Sequence, residues 1–173
     1  MKSLKMLVGT SVLTCACLSS TSTPPEPSYP EGVTKVTAQV RGITCPTCGA
    51  VAEVALRQRL PGVVAISISQ SQQTVVVEFA QATGAFSSAV FRDAVDDAGI
   101  EVLTIQIDAC GVAEETQGQR WFLAGANRFA LDDGGRVPVR QPVCVLGSLD
   151  DASTPYRFTP TTIQTVATEL RPT

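Results

Sequence analysis

Lys35-Val36-Thr37-Ala38-Gln39-Val40-Arg41-Gly42-Ile43-Thr44-Cys45-Pro46-Thr47-Cys48 decides how this chain folds. Up to Arg41, the apolar residues Val36, Ala38 and Val40 alternate with polar ones, which predicts a strand with one buried face. From Gly49 to Leu60, Ala52, Leu56 and Leu60 recur at helical spacing with Ala55 beside them. This predicts a helix, closed by Pro61-Gly62. Pro46 suits the first helical position, where no N–H is needed. Cys45 and Cys48 therefore fall where a strand hands over to a helix N-terminus. There the unpaired N–H groups and the helix dipole favour a thiolate. Thiolates at this spacing can converge on one soft metal ion.

Further along, Val64, Ile66 and Ile68 alternate with Ala65, Ser67 and Ser69, and Ser69-Gln70-Ser71-Gln72 supplies a turn. Val75, Val77 and Phe79 alternate with Thr74, Val76 and Glu78. Phe86, Val90, Phe91, Ala94, Val95 and Ala98 predict a second amphipathic helix ending at Gly99, and Leu103, Ile105 and Ile107 a last strand. The order over residues 34–108 is that of a ferredoxin-like βαββαβ sandwich, an α+β fold. In that fold the last strand lies antiparallel beside the first. Its start is near the cysteine loop and its end far away. At about 3.3 Å per residue, Cys110 is then roughly 25 Å from the motif and is no third ligand. Asp93, Asp96 and Asp97 read as a solvated face of the second helix.

Gly42-Ile43-Thr44-Cys45-x-x-Cys48, followed by Glu53, Ala55-Leu56 and Pro61-Gly62-Val63, resembles the heavy-metal-associated domain. That family includes copper chaperones, periplasmic mercury-binding proteins and the N-terminal domains of copper-transporting ATPases. Asp96-Asp97-Ala98-Gly99 is similar to the end of its second helix. Ile43 stands where the family usually has Met, and Ile100 where bacterial copper chaperones often have Tyr. The resemblance implies that Cys45 and Cys48 bind Cu(I) in the first place, or Hg(II) in the second. It also implies ion transfer by ligand exchange with a partner thiol protein or transporter. Zinc fits less well, since two cysteines leave its tetrahedron half filled. Two other readings of the pair stay open. One is thiol–disulfide chemistry, as in Cys-Pro-x-Cys redox motifs. The other is a disulfide or vestigial pair in a domain that serves as a scaffold for interaction or assembly.

Residues 109–173 read as a second, small β-rich unit. Gln117-Gly118, Gly125-Ala126-Asn127, Asp132-Asp133-Gly134-Gly135, Gly147-Ser148 and Asp150-Asp151 punctuate short strand-like runs. These runs suggest a small antiparallel barrel, and Val143 to Leu149 looks like a central strand of an OB-like barrel. Trp121, Phe122, Phe129, Tyr156 and Phe158 read as core and barrel-mouth residues. Cys110 and Cys144 are expected to form a structural disulfide.

The N-terminus begins Met1-Lys2-Ser3-Leu4-Lys5 and continues with a short apolar stretch from Met6 to Leu13. Residues 1–17 read as an export signal, too short to span a membrane. With Cys15 and Cys17 after small residues, the segment resembles a bacterial lipoprotein signal. Cys17, preceded by Ala16, fits the lipidated position better than Cys15, and an ordinary cleaved signal is the alternative. Residues 18–33, rich in Ser, Thr and Pro, read as a disordered tether. The expected location is the bacterial periplasm, with a lipid anchor in the membrane.

The 173 residues carry a formal charge of −3, and removing the first 17 takes away Lys2 and Lys5 but no acid, leaving about −5. Nothing in this balance calls for nucleic acid. Histidine is absent and the methionines are Met1 and Met6, so His-type zinc or copper(II) sites and Met-rich copper sites are excluded from the mature chain. With no His, no nucleophile elbow and a Ser-x-Lys spacing only in the leader, at Ser3 and Lys5, the sequence gives no reason to expect an enzyme.

Overall fold

β1 (Gly32–Arg41) runs through the alternating stretch and delivers the chain to α1 (Pro46–Arg59), as the pattern of apolar residues requires. The structure is a computed structural model that describes residues 29–80 and 85–166. The segment read as an export signal, with Cys15 and Cys17, and residues 18–28 of the expected tether lie outside the described residues, whereas Gly32 and Val33 at the end of that expected tether already belong to β1. The chain continues with β2 (Val63–Ser69), β3 (Thr74–Phe79), α2 (Ser88–Asp96) and β4 (Glu101–Thr116). These four strands pair antiparallel in the order β2-β3-β1-β4, the arrangement of a ferredoxin-like sheet.

Local chemistry sets the helix ends. Arg57 and Arg59 in the last turn of α1 complement the carbonyl end of its dipole. Leu60 turns to extended backbone because the residue before a proline disfavours the helical region. α2 starts at the N-cap Ser87, whose Oγ accepts from the Val90 N–H at 3.4 Å. It stops before Gly99, whose φ of +71° no branched residue adopts at ease. Ala52 and Leu56 of α1 and Phe91, Ala94 and Val95 of α2 are fully buried together with Val36, Ala38, Val75, Val77, Ile105 and Ile107 of the sheet. Each such large aliphatic or aromatic side chain contributes about 1.5–3 kcal/mol.

β4 departs from the expected plan. The boundary placed between residues 108 and 109 falls inside this strand, which runs on to Thr116. Neither a proline nor a pair of adjacent turn formers interrupts Ile107-Asp108-Ala109-Cys110-Gly111-Val112, and the isolated Gly111 does not stop the ladder. The strand turns at Gln117-Gly118, both at positive φ, into β5 (Gln119–Ala124). β6 (Asn127–Leu131), β7 (Pro142–Asp150) and β8 (Arg157–Thr165) complete the sheet. β5 pairs with β4 and β6, β6 lies parallel to β8, β8 pairs with β7, and β7 returns to β4. The ladder of the C-terminal half thus closes on itself through β4.

Gly147-Ser148, expected as a turn, lies within β7. The glycine is there for space: a Cβ on Gly147 would come within 2.6 Å of both the Phe158 ring and the Thr159 carbonyl. Ile163 to Thr165 end β8, and residues 167–173 lie outside the described residues. Phe122, Phe129 and Phe158 are buried, whereas Trp121 and Tyr156 are partly exposed, with the Arg128 guanidinium 4.0 Å from the Trp121 ring centre. The buried side chains of both halves belong to one cluster.

Candidate metal centre

The loop between β1 and α1 is fixed at both ends before the cysteines are reached. Gly42, at φ +108°, lets the backbone pass close to the α2–β4 turn, where a Cβ would sit 2.9 Å from the Gly99 carbonyl oxygen. Ile43 follows and is buried, and so acts as the hydrophobic anchor of the loop. Ile100 is also fully buried. Thr44 returns to the surface.

Cys45 is the N-cap of α1, with extended backbone at φ −145° and ψ 154°. Its Sγ accepts from the Cys48 N–H at 3.2 Å, and Pro46 occupies the start of the helix without an N–H to satisfy. The sulfur thus stands in the position that a serine or aspartate oxygen takes in most helices. A thiolate accepts this bond more strongly than a thiol, and the helix dipole adds in the same sense. Cys48 is half buried against the core, and the Thr44 hydroxyl lies 3.9 Å from its Sγ. The two Cα atoms are 5.4 Å apart and the sulfurs are in disulfide contact, so both face one point. When reduced, this arrangement offers two convergent soft donors at the surface, which suits an ion that accepts two thiolates.

Among the described residues no further cysteine or acid side chain converges on that point. Among the described residues no group of three or more cysteine or acid side chains is placed to hold a metal. Asp93, Asp96 and Asp97 are exposed on α2, and Asp97 pairs with Arg59 of α1. Cys110 stands opposite Gly32 at the far end of β1, whereas Arg41, next to the loop, stands opposite Glu101. Its partner is Cys144, directly across from it on β7, with an S–S distance of 2.06 Å. A groove of about 420 Å³ runs over that same far region, lined by Lys35, Asp108, Phe79 and the Cys110–Cys144 pair. It does not reach Cys45 or Cys48.

The sequence reading missed the glutamines around the cysteine loop. Ser69-Gln70-Ser71-Gln72 reads as a plain turn, but the turn abuts the loop. The Gln73 side chain accepts from the Gly42 and Ile43 N–H groups, both at 3.1 Å, and donates to the Ile43 carbonyl at 3.0 Å. Gln70 donates to the Thr44 carbonyl at 3.0 Å. The signal available was topological: a ferredoxin-like order brings the β2–β3 hairpin beside the β1–α1 loop.

No protein-family model matches the chain, and no curated protein matches it. Several solved structures similar to part of it are heavy-metal-associated, copper-binding domains. The N-terminal domain of PacS from Synechocystis PCC6803 is 23% identical, at a TM-score of 0.33, over 40% of this chain and 92% of that one. The CopZ metallochaperone is 23% identical at 0.35, over 40% and 100%. The yeast copper transporter domain Ccc2a is 25% identical at 0.34, over 40% and 94%.

Proposed function

We propose that this chain is an exported soft-metal-binding protein that captures, buffers or delivers Cu(I) through Cys45 and Cys48. The observation that carries the reading is the position of the pair: two half-exposed cysteines turned toward each other at a helix N-terminus, one of them capped by the other's N–H. Such a pair holds an ion that accepts two thiolates and leaves its outer side open. An incoming thiolate from a partner protein or transporter can then join the ion before one of the two cysteines leaves. The ion is cargo in this scheme, and Hg(II) is the second candidate because it takes the same two donors.

Export and lipidation at Cys17 rest on the leader sequence, and a lipid anchor would keep the site at the periplasmic face of a membrane. The ring of pairings through β4, β5, β6, β8 and β7 supports reading the C-terminal half as a small OB-like barrel. A second reading, thiol–disulfide exchange, is favoured by the contact between the two sulfurs. It predicts a reversible Cys45–Cys48 couple that reduces a test disulfide.

The test is a Cu(I) titration of the reduced chain against a chromophoric chelator, beside Cys45→Ser and Cys48→Ser. One tightly held ion per chain, lost in both variants, is the expected result. Weak binding that the substitutions leave unchanged overturns the Cu(I) reading.

A further inference from the structure

We propose that Gln73 is a positioning residue for the thiol pair, and that its amide clamps the backbone that carries Cys45; the inference rests on the metal-binding reading above. Gln73 is the last turn residue before β3, at φ +50°, a region uncommon for residues other than glycine. A set of bonds ties its side chain to the cysteine loop. Its Oε1 accepts from the N–H groups of Gly42 and Ile43, and its Nε2 donates to the Ile43 carbonyl and, at 2.7 Å, to the Gln70 carbonyl. Its own carbonyl accepts from the Val40 N–H at 2.9 Å and from the Gln39 side chain at 3.0 Å. Gln70 then takes the next peptide group by donating to Thr44.

The peptide groups just before Cys45 are thus gripped by neutral side chains of one hairpin. An amide suits this task for a chemical reason. Two N–H groups and one carbonyl of the loop face the hairpin, and an amide presents an acceptor to the first and a donor to the second. A carboxylate can satisfy only the N–H groups, and it places a negative charge beside the carbonyl. None of the hydrogen bonds of the Gln73 side chain goes to a sulfur. Its effect passes through the Gly42–Thr44 backbone, which sets where Cys45 enters the helix and therefore whether its sulfur meets the Cys48 N–H. Metal affinity depends on such supporting groups by about 10–100-fold.

The experiment compares Cu(I) affinity, by chelator competition on the reduced chain, for the wild type, Gln73→Glu, Gln73→Asn and Gln73→Gly. Amide exchange at Gly42 and Ile43 and the midpoint of urea unfolding are measured alongside. Glycine and asparagine relieve the positive φ, but neither reaches the loop. A residue that mattered only to the turn would leave both variants as stable and as tight-binding as the wild type, or better. The clamp instead predicts about a 10-fold loss of affinity in both, with faster exchange at Gly42 and Ile43 and little change in the midpoint. Gln73→Glu, which keeps the reach and the acceptor, is expected between them and the wild type. Wild-type affinity in Gln73→Gly and Gln73→Asn overturns the clamp and leaves the thiol site standing. Failure of the wild type itself to bind Cu(I) removes the site reading, and the clamp's role in it falls too.

Discussion

Asp133 shows how one side chain can order a loop that has no regular structure. Its carboxylate is almost wholly buried and takes Arg120 Nη1 at 2.5 and 2.7 Å, the Gly135 N–H at 3.0 Å and the Val137 N–H at 2.8 Å. Burial by itself pushes this carboxyl up. The Val137 and Gly135 N–H groups, with the charge and hydrogen bonds of Arg120, outweigh it and hold Asp133 below its ordinary 3.8. At Asp151 the hydrogen bonds from Arg92 come first and also lower the group. A carboxyl whose folded value lies below its unfolded value stabilises the fold above the unfolded value, and that contribution is lost as the pH falls through the folded one. Stability is therefore flat near neutrality and declines below about pH 4. Asp133→Asn leaves Arg120 without a counter-charge and turns an N–H toward other donors. It is expected to cost about 3 kcal/mol in urea unfolding at pH 7, and to flatten the decline below pH 4. A cost within about 0.5 kcal/mol would assign the loop's order to Gly134-Gly135 and the apolar contacts of Val137 instead.

β4 is the element on which the two halves are built. It pairs with β1 through Cys110 and with β5 from Val112 onward, while β7 lies along it from Ile105 to Val112. Gly111 sits at the changeover. A Cβ there would come 1.8 Å from the Leu123 carbonyl oxygen, and a backbone oxygen in a ladder cannot step aside as a flexible side chain could. Gly111→Ala is expected to lower stability by more than about 3 kcal/mol, at the upper end of overpacking costs, with loss of amide protection across β4 and β5. Wild-type protection in a folded Gly111→Ala chain would refute this. The same strand explains what could be read in advance. The alternation of Val36, Ala38 and Val40, the helical spacing of Ala52, Leu56 and Leu60, and Pro46 at the helix start made the βαββαβ half and the place of Cys45 and Cys48 legible, because each is a local periodicity. The continuity of β4 was not legible, because the short runs and turn signals after residue 109 read as a separate unit, and only the pairing of β5 and β7 shows that Cys110-Gly111 is a ladder position. Gln73 was missed for a related reason: its partners are some 30 residues away, and its own neighbours mark only a turn.

The molecule's contacts argue that the thiol site rides on one cooperative body. Beyond the shared strand and the single buried cluster, Arg92 of α2 forms a two-pronged pair with Asp151 after β7, at 2.7 and 2.9 Å, and donates to the Val102 carbonyl at 2.7 Å. Asn127, buried at the β5–β6 turn, accepts from the Phe86 N–H at 2.8 Å, so the C-terminal half holds the lead into α2. The Cys110–Cys144 bridge fastens β7 to β4 at the end of the molecule away from the thiol pair. These links predict one unfolding transition, seen alike by Trp121 fluorescence, which reports the C-terminal half, and by far-ultraviolet dichroism, which reports the helices of the other. Removing the bridge in the double variant Cys110→Ser and Cys144→Ser tests this further. Its ends are 34 residues apart in sequence, which in the chain-entropy view is worth about 3–4 kcal/mol. If the body is one unit, the variant loses that amount from both signals together and its Cu(I) affinity stays as it was, because Cys45 and Cys48 are untouched. If the fluorescence midpoint falls alone, the halves fold separately, and the site's rigidity belongs to the βαββαβ half by itself.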